Sequence, residues 1–336
     1  MLGSSEVPLA ERHDLVMFDL DGVVYIGGDR VTGVAERIER LRAGGIHVAF
    51  VTNNASRTPA AVATKLTRMG IEAGQGDVVT SAQAAARLLR EQHGEGARIL
   101  LLGGEGLRWA LEEAGLVPVE EPEGVVALAS GYGPDVRWRD IMRAATLVRG
   151  GLPYVASNGD MTIPTADGLG PGHGVLVRVI GDFAGIEPVV AGKPERPLMD
   201  ETVRRVGGDV PLMVGDRLDT DIEGANGVGV DSLLVMTGVT HLDDLARAGQ
   251  RLRPTYVSAD TGGLFEPHPE PRRDGEGWVS GGWLATTSNG VLEVTGEGTP
   301  SDWWRAACCA LWTHLDAEDA PADTGGVTPP GDRADE

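Results

Sequence analysis

The chain has 336 residues, 41 % of them hydrophobic, and carries 29 Lys and Arg against 50 Asp and Glu, a formal net charge of −21. That acidity makes the chain a poor candidate for nucleic-acid or anionic-membrane binding, which requires basic patches. An anionic small molecule would have to be met by a bound cation or by a few placed basic side chains.

The length suits two ordinary domains and an appendage. The only cysteines, Cys308 and Cys309, are adjacent and frame no disulfide loop. No apolar run reaches bilayer length, and the first residues lack a basic-then-apolar pattern. A reduced, cytoplasmic protein is expected.

In chain order, short apolar runs alternate with helical patterns. Leu15 to Leu20 reads as a buried strand, Val31 to Ala43 as a helix closed by Gly44-Gly45, and Ile46 to Thr52 as a second strand. Thr58-Pro59 is an N-cap followed by proline at the first helical position, and that helix runs to about Met69. Ser81 is expected to cap the next helix, which runs to about Arg90. Strands at Ile99 to Leu102 and Val125 to Ser130 alternate with helices at Leu107 to Ala114 and Ile141 to Val148. Val189-Val190, Leu212 to Val214 and Leu233 to Val235 are further short strands. The rhythm predicts an α/β fold with parallel sheets covered by helices.

After Phe265 the texture changes. Pro267 to Gly277 reads as a linker, Trp278 to Val294 as a hairpin turning at Asn289-Gly290, and Asp302 to Leu315 as a helix bearing three of the seven tryptophans. Pro321 to Glu336 is acidic and Pro/Gly-bearing, and is expected to be disordered.

Four motifs sit at strand ends, where ligands of open parallel sheets bind. In Phe18-Asp19-Leu20-Asp21-Gly22, two carboxylates two residues apart share a face of an extended segment. They repel unless a cation intervenes, and magnesium prefers oxygen ligands. Val51-Thr52-Asn53-Asn54 offers a hydroxyl followed by exposed amides. Ala191-Gly192-Lys193-Pro194 offers one lysine with an extended backbone. Gly215-Asp216-Arg217-Leu218-Asp219-Thr220-Asp221 carries acids from a strand into a helix, where Asp219 is also explained by the helix dipole. Alone, each motif also reads as an ordinary turn or solvated side chain.

Together, in this order, the motifs resemble the haloacid-dehalogenase superfamily of phosphatases across roughly Asp14 to Phe265. The wide gap between the second and third resembles the subclass with a large α/β cap, which includes NagD-like, 4-nitrophenyl phosphate, phosphoglycolate, pyridoxal phosphate and glycerol 3-phosphate phosphatases. The resemblance implies a Rossmann-like core at 1–80 and 189–265 and a cap at 81–188; the composition beyond adds an appendage at 278–316 and a disordered acidic tail at 317–336. It implies Mg2+ as cofactor, held by Asp19, by the Asp21 carbonyl and by Asp216, with Asp221 in the outer shell. Asp19 would be the nucleophile and Asp21 the general acid–base. Leu20, Asp21, Thr52, Asn53, Asn54 and Lys193 would hold the phosphoryl group, Lys193 also offsetting charge during catalysis.

In the resembled subclass a glycine-rich cap loop faces the substrate. Here that loop is Gly168 to Gly174, so His173 and Gly172 are candidates for specificity, with Asn158 and Asp160 as a second pair. The loop has no aromatic platform, which favours a small polyol or hydroxy-acid phosphate. The Trp-bearing tail is similar to that of actinobacterial glycerol 3-phosphate phosphatases, and is reminiscent of part of an acetyltransferase fold without its coenzyme loop. Packing or homo-oligomerisation is its expected role. The expected partner is a small phosphorylated metabolite, with no nucleic acid and no membrane. Phosphoglycolate, pyridoxal phosphate and nucleotide or sugar phosphates are the alternative substrates. A non-catalytic regulatory module is the alternative of another class, opposed by the intact acidic motifs.

Overall fold

The computed structural model describes residues 1–165 and 168–330. They form two compact units, Met1–Val48 together with Gly208 onward, and Ala49–Gly207.

In the first unit, parallel strands lie in the order Tyr256–Ser258, Asp231–Val235, Pro211–Gly215, Leu15–Phe18. Leu15 to Phe18 are buried throughout, as a strand covered on both faces requires. The strand stops at Phe18, two residues before its expected end at Leu20. The chain turns at once, with Val24 and Tyr25 N–H donating to the Leu20 carbonyl and Gly22 at φ +89°.

The C-terminal segment is part of this unit rather than an annex to it. Its sheet has four antiparallel strands, Arg272–Asp274, Gly277–Ser280, Trp283–Ser288 and Val291–Gly296. The expected hairpin is its second half, with Asn289 and Gly290 both at positive φ. The supposed linker is a correction. Arg272–Asp274 pairs with Trp278 and its neighbours, and His268 exchanges two main-chain hydrogen bonds with Ser5. Its exposed, charged side chains hid a strand whose order comes from pairing.

Helix Pro300–Glu318 is buried at every residue from Trp303 to Trp312. A helix apolar all round needs cover on all sides. It shares one core with Leu234 and Val257 of the parallel sheet and with Ala285 and Leu292 of the antiparallel one. Three indole N–H groups find partners: Trp312 donates to the Leu245 carbonyl, Trp278 to Thr313 and Trp283 to the Thr299 carbonyl. Residues 321–330 also depart from the expected disorder. Asp323 bonds Gly290 and Leu292 through its main chain, and Thr324 bonds Asp243. Residues 331–336 lie outside the described residues.

In the second unit, Phe50–Thr52 pairs in parallel with Val78–Thr80. Helix Ser81–His93 follows, and its cap is Thr80, not Ser81. Thr80 Oγ1 accepts from Gln83 N–H, while Gln83 Oε1 accepts from Thr80 N–H. Ser81 Oγ donates instead to the Asn53 carbonyl.

A five-stranded parallel sheet then runs, edge to edge, Val117–Val119, Arg98–Leu102, Ala127–Ser130, Tyr154–Ala156, Val189–Val190. In chain order this is a doubly wound arrangement. Helices Trp138–Arg149 and His173–Ala184 share a core with it. Among the described residues no helix is long and apolar enough to cross a membrane.

Candidate active site

The first unit gathers Asp19, Asp216 and Asp221. One carboxylate oxygen from each lies within 4.8 Å of the others. Asp19 follows its strand directly, its N–H donating to Val214 O at 2.9 Å. Asp216 follows the neighbouring parallel strand. Asp221 returns through the single π turn Leu218–Ile222 and is fully buried. Its Oδ2 accepts the N–H groups of Asp216 and Arg217 at 3.2 and 3.1 Å, which ties the turn to the strand end. Asp219 lies elsewhere, in an exposed two-point pair with Arg217.

Glycine makes the room for these acids. A Cβ on Gly22 would stand 2.3 Å from Asp216 Oδ2, one on Gly238 1.9 Å from the same oxygen, and one on Gly215 2.2 Å from the Asp221 Cβ. The 237–240 loop, which sequence reasoning passed over, is therefore part of the site. Val239 N–H donates to Asp216 Oδ2 at 2.8 Å, Thr240 Oγ1 to the Asp216 carbonyl at 2.5 Å, and Thr237 Oγ1 to the Gly22 carbonyl at 2.7 Å. The only local signal was Thr-Gly-Val-Thr directly after a buried strand.

All three donors are carboxylate oxygens, the set a hard divalent cation takes. Octahedral magnesium, with oxygens at about 2.1 Å, needs its ligand atoms within roughly 4.2 Å of one another. The observed cluster reaches that with small side-chain adjustments, so it fits magnesium. Asp21 is exposed, with the Tyr25 hydroxyl 3.5 Å from its Oδ2. Leu20 is buried.

The second unit gathers Thr52, Asn53, Asn54, Asn158, Asp160, Gly172, His173 and Lys193. Thr52 Oγ1 accepts from Asn54 N–H at 3.1 Å, and Asn54 Oδ1 accepts from both N–H and Oγ of Ser56. Asn53 bonds the main chain of Lys193 and the Asp160 carboxylate. The Lys193–Pro194 peptide is cis. Gly172 and Gly174 allow close approach, since a Cβ on them would meet the Asp160 carbonyl at 2.2 Å and the Gly159 carbonyl at 2.1 Å.

His173 is buried, with Nδ1 2.9 Å from the Asn158 carbonyl and Nε2 3.0 Å from Ser130 Oγ. Burial pushes its pKa down to about 4, so the ring is neutral near pH 7. The glycines around it suggested an exposed loop. They serve instead to bring the backbone of that loop against residues 159–160.

The chain matches haloacid dehalogenase-like hydrolases over residues 16–117 and the HAD-hydrolase-like family over residues 190–264. It is 40 % identical, over 90 % of its length and 87 % of the relative's, to the D-glycerol 3-phosphate phosphatase of Mycobacterium tuberculosis. The chain is a haloacid dehalogenase-like hydrolase.

This hydrolase is also 38 % identical to the acid sugar phosphatase of Staphylococcus aureus, over 74 % of its own length and 96 % of the relative's. The crystal structure of the glycerol phosphate phosphatase of Mycobacterium tuberculosis in complex with magnesium superposes on the hydrolase with a TM-score of 0.82. The two are 38 % identical, and the match covers 91 % of this chain and 92 % of that one. A 4-nitrophenylphosphatase from Thermotoga maritima gives 0.70 at 30 % identity, over 76 % of this chain and 97 % of that one.

Proposed function

We propose that this hydrolase removes phosphate from a small phosphorylated metabolite, glycerol 3-phosphate first among them, through a phospho-aspartyl intermediate on Asp19. The observation that carries the reading is the Asp19, Asp216 and Asp221 cluster at the ends of adjacent parallel strands. Similarity over 90 % of the chain to a relative named D-glycerol 3-phosphate phosphatase supports the choice of substrate.

Asp19, Asp216 and the Asp21 carbonyl would hold magnesium, with Asp221 supporting the shell. Bound there, the ion supplies positive charge against the phosphoryl oxygens. Asp19 attacks phosphorus. Asp21, exposed and beside the nucleophile in sequence, protonates the leaving alkoxide and then deprotonates the water that releases phosphate. By motif, Thr52, the Asn53 and Asn54 amides and Lys193 are assigned to the phosphoryl oxygens. Residues 81–188 are assigned as the cap, with Asp160 as its polar contact to a substrate hydroxyl.

The test is phosphate release by the purified chain with magnesium from a panel of polyol, sugar, glycolate and pyridoxal phosphates, beside Asp19→Asn. The highest kcat/KM is expected on glycerol 3-phosphate, and no turnover from the variant. Native rates in Asp19→Asn would overturn the nucleophile. A sugar phosphate preferred tenfold would move the substrate toward the acid sugar phosphatase relatives.

A further inference from the structure

Asn53 spends its whole side chain on two distant segments. Oδ1 accepts the Lys193 N–H at 2.8 Å. Nδ2 donates to the Lys193 carbonyl at 3.0 Å and to Asp160 Oδ1 at 2.9 Å. A carboxamide combines one acceptor and two donors in one plane. It can therefore clasp both main-chain groups of one residue and still hold a carboxylate. The fit is close, since a Cβ on Gly192 would stand 2.5 Å from Asn53 Oδ1 and 2.7 Å from the Ser157 carbonyl.

The Asn53 main chain is fixed in turn. Its carbonyl accepts from Ser81 Oγ at 2.6 Å and from Asn158 Nδ2 at 2.8 Å. The Asn158 carbonyl can only accept, so His173 Nδ1 carries the proton and Nε2 accepts from Ser130 Oγ. Ser130 then accepts from the Tyr154 hydroxyl at 2.7 Å. Every member of this line is buried except Asn53, and each donor meets an acceptor. Such a satisfied network rigidifies what it touches.

We propose that Asn53 is the positioning residue for Lys193, held in register by the buried Asn158–His173 arm. The proposal deepens, and rests on, the reading of Lys193 as the cation at the phosphoryl group. A main chain clasped at both N–H and C=O leaves only the lysine side-chain torsions to aim the ammonium. Loosening it acts on the reacting step, because a shift on the order of 1 Å in a positioned group costs about a hundredfold in rate.

The test is a double-mutant cycle on kcat with glycerol 3-phosphate, or the best substrate of the panel, using Asn53→Ala and Lys193→Met. Asn53→Ala alone should lower kcat by about 10- to 100-fold and leave KM within about twofold. Combined with Lys193→Met it should add less than about twofold to the effect of the lysine change. Full multiplication of the two effects, or a raised KM with native kcat, would overturn the proposal. A Lys193→Met enzyme with native kcat would instead sink the reading of the lysine, and the proposal with it.

Asn53→Asp keeps the Oδ1 acceptor and removes both donors, and serves the same cycle should the alanine variant not fold. His173→Phe keeps the bulk but offers no ring nitrogen. It should lower kcat by about three- to tenfold at unchanged KM, and native kcat there would remove the arm from the proposal.

Discussion

Gly238→Ala tests the acidic cluster without replacing any of its ligands. The new methyl would stand 1.9 Å from Asp216 Oδ2, where real Cβ contacts do not come under 3.0 Å, so the carboxylate must retreat by about 1 Å. On retreat it leaves the 2.8 Å bond from Val239 N–H. A hydrogen bond to a charged group contributes about 1.5–3 kcal/mol, which corresponds to about a 10- to 100-fold loss of magnesium affinity. Titration calorimetry with magnesium, and the magnesium dependence of phosphate release, should both shift by that factor, with the circular dichroism spectrum unchanged. A Gly238→Ala protein that binds magnesium as the native protein does would refute the placement of Asp216 as a ligand held between two glycines.

Stability should fall as the medium is acidified from about pH 6.5 toward 4. His173 and His268 are buried with pKa values lowered to about 4 by desolvation, against 6.5 in the unfolded chain. The unfolded state therefore binds more protons across that window, and each histidine withdraws up to about 3 kcal/mol. Urea titrations at a series of pH values would show it, and equal stability at pH 7 and 4.5 would refute it. Cys308 and Cys309 are buried and their thiol pKa values are raised by desolvation. Both should resist iodoacetamide in the native protein and react in urea. Ending the chain at Gly298 should yield aggregated protein rather than a trimmed active enzyme. The loss strips Trp303, Leu311 and Trp312 from a shared core, at about 1.5–3 kcal/mol for each large apolar side chain. Recovery of a monomeric fragment with a native melting transition would contradict this.

Strands and helices with a strong apolar period were legible in the sequence to within a few residues, because burial sets their pattern directly. Asp19 and Asp216 were legible because each directly follows a buried strand, and Asp221 because it closes the acidic run that leaves the second of those strands. Gly238 and Val239 were not, since their contact with Asp216 crosses more than twenty residues and leaves no local pattern. Arg272–Asp274 is exposed and charged, so its pairing carried no hydrophobic signal. The order of residues 321–330 likewise comes from bonds to Asp243, Gly290 and Leu292. His173 looked like a loop residue because glycine neighbours signal freedom and close approach alike. Thr80 was missed as a cap although the run Thr80-Ser81-Ala82-Gln83, a threonine with glutamine three residues on, was present.

The place of helix Pro300–Glu318 sets an order of events during translation. Within Ala49–Gly207 the five-stranded sheet has a core of its own and can settle while the ribosome is still at work. The flanking Met1–Val48 segment, which carries the reactive aspartate, must wait for almost the last residues to emerge before its sheet is covered. A nascent chain stalled anywhere before that helix would hold a finished central portion beside an unclosed, chaperone-dependent remainder.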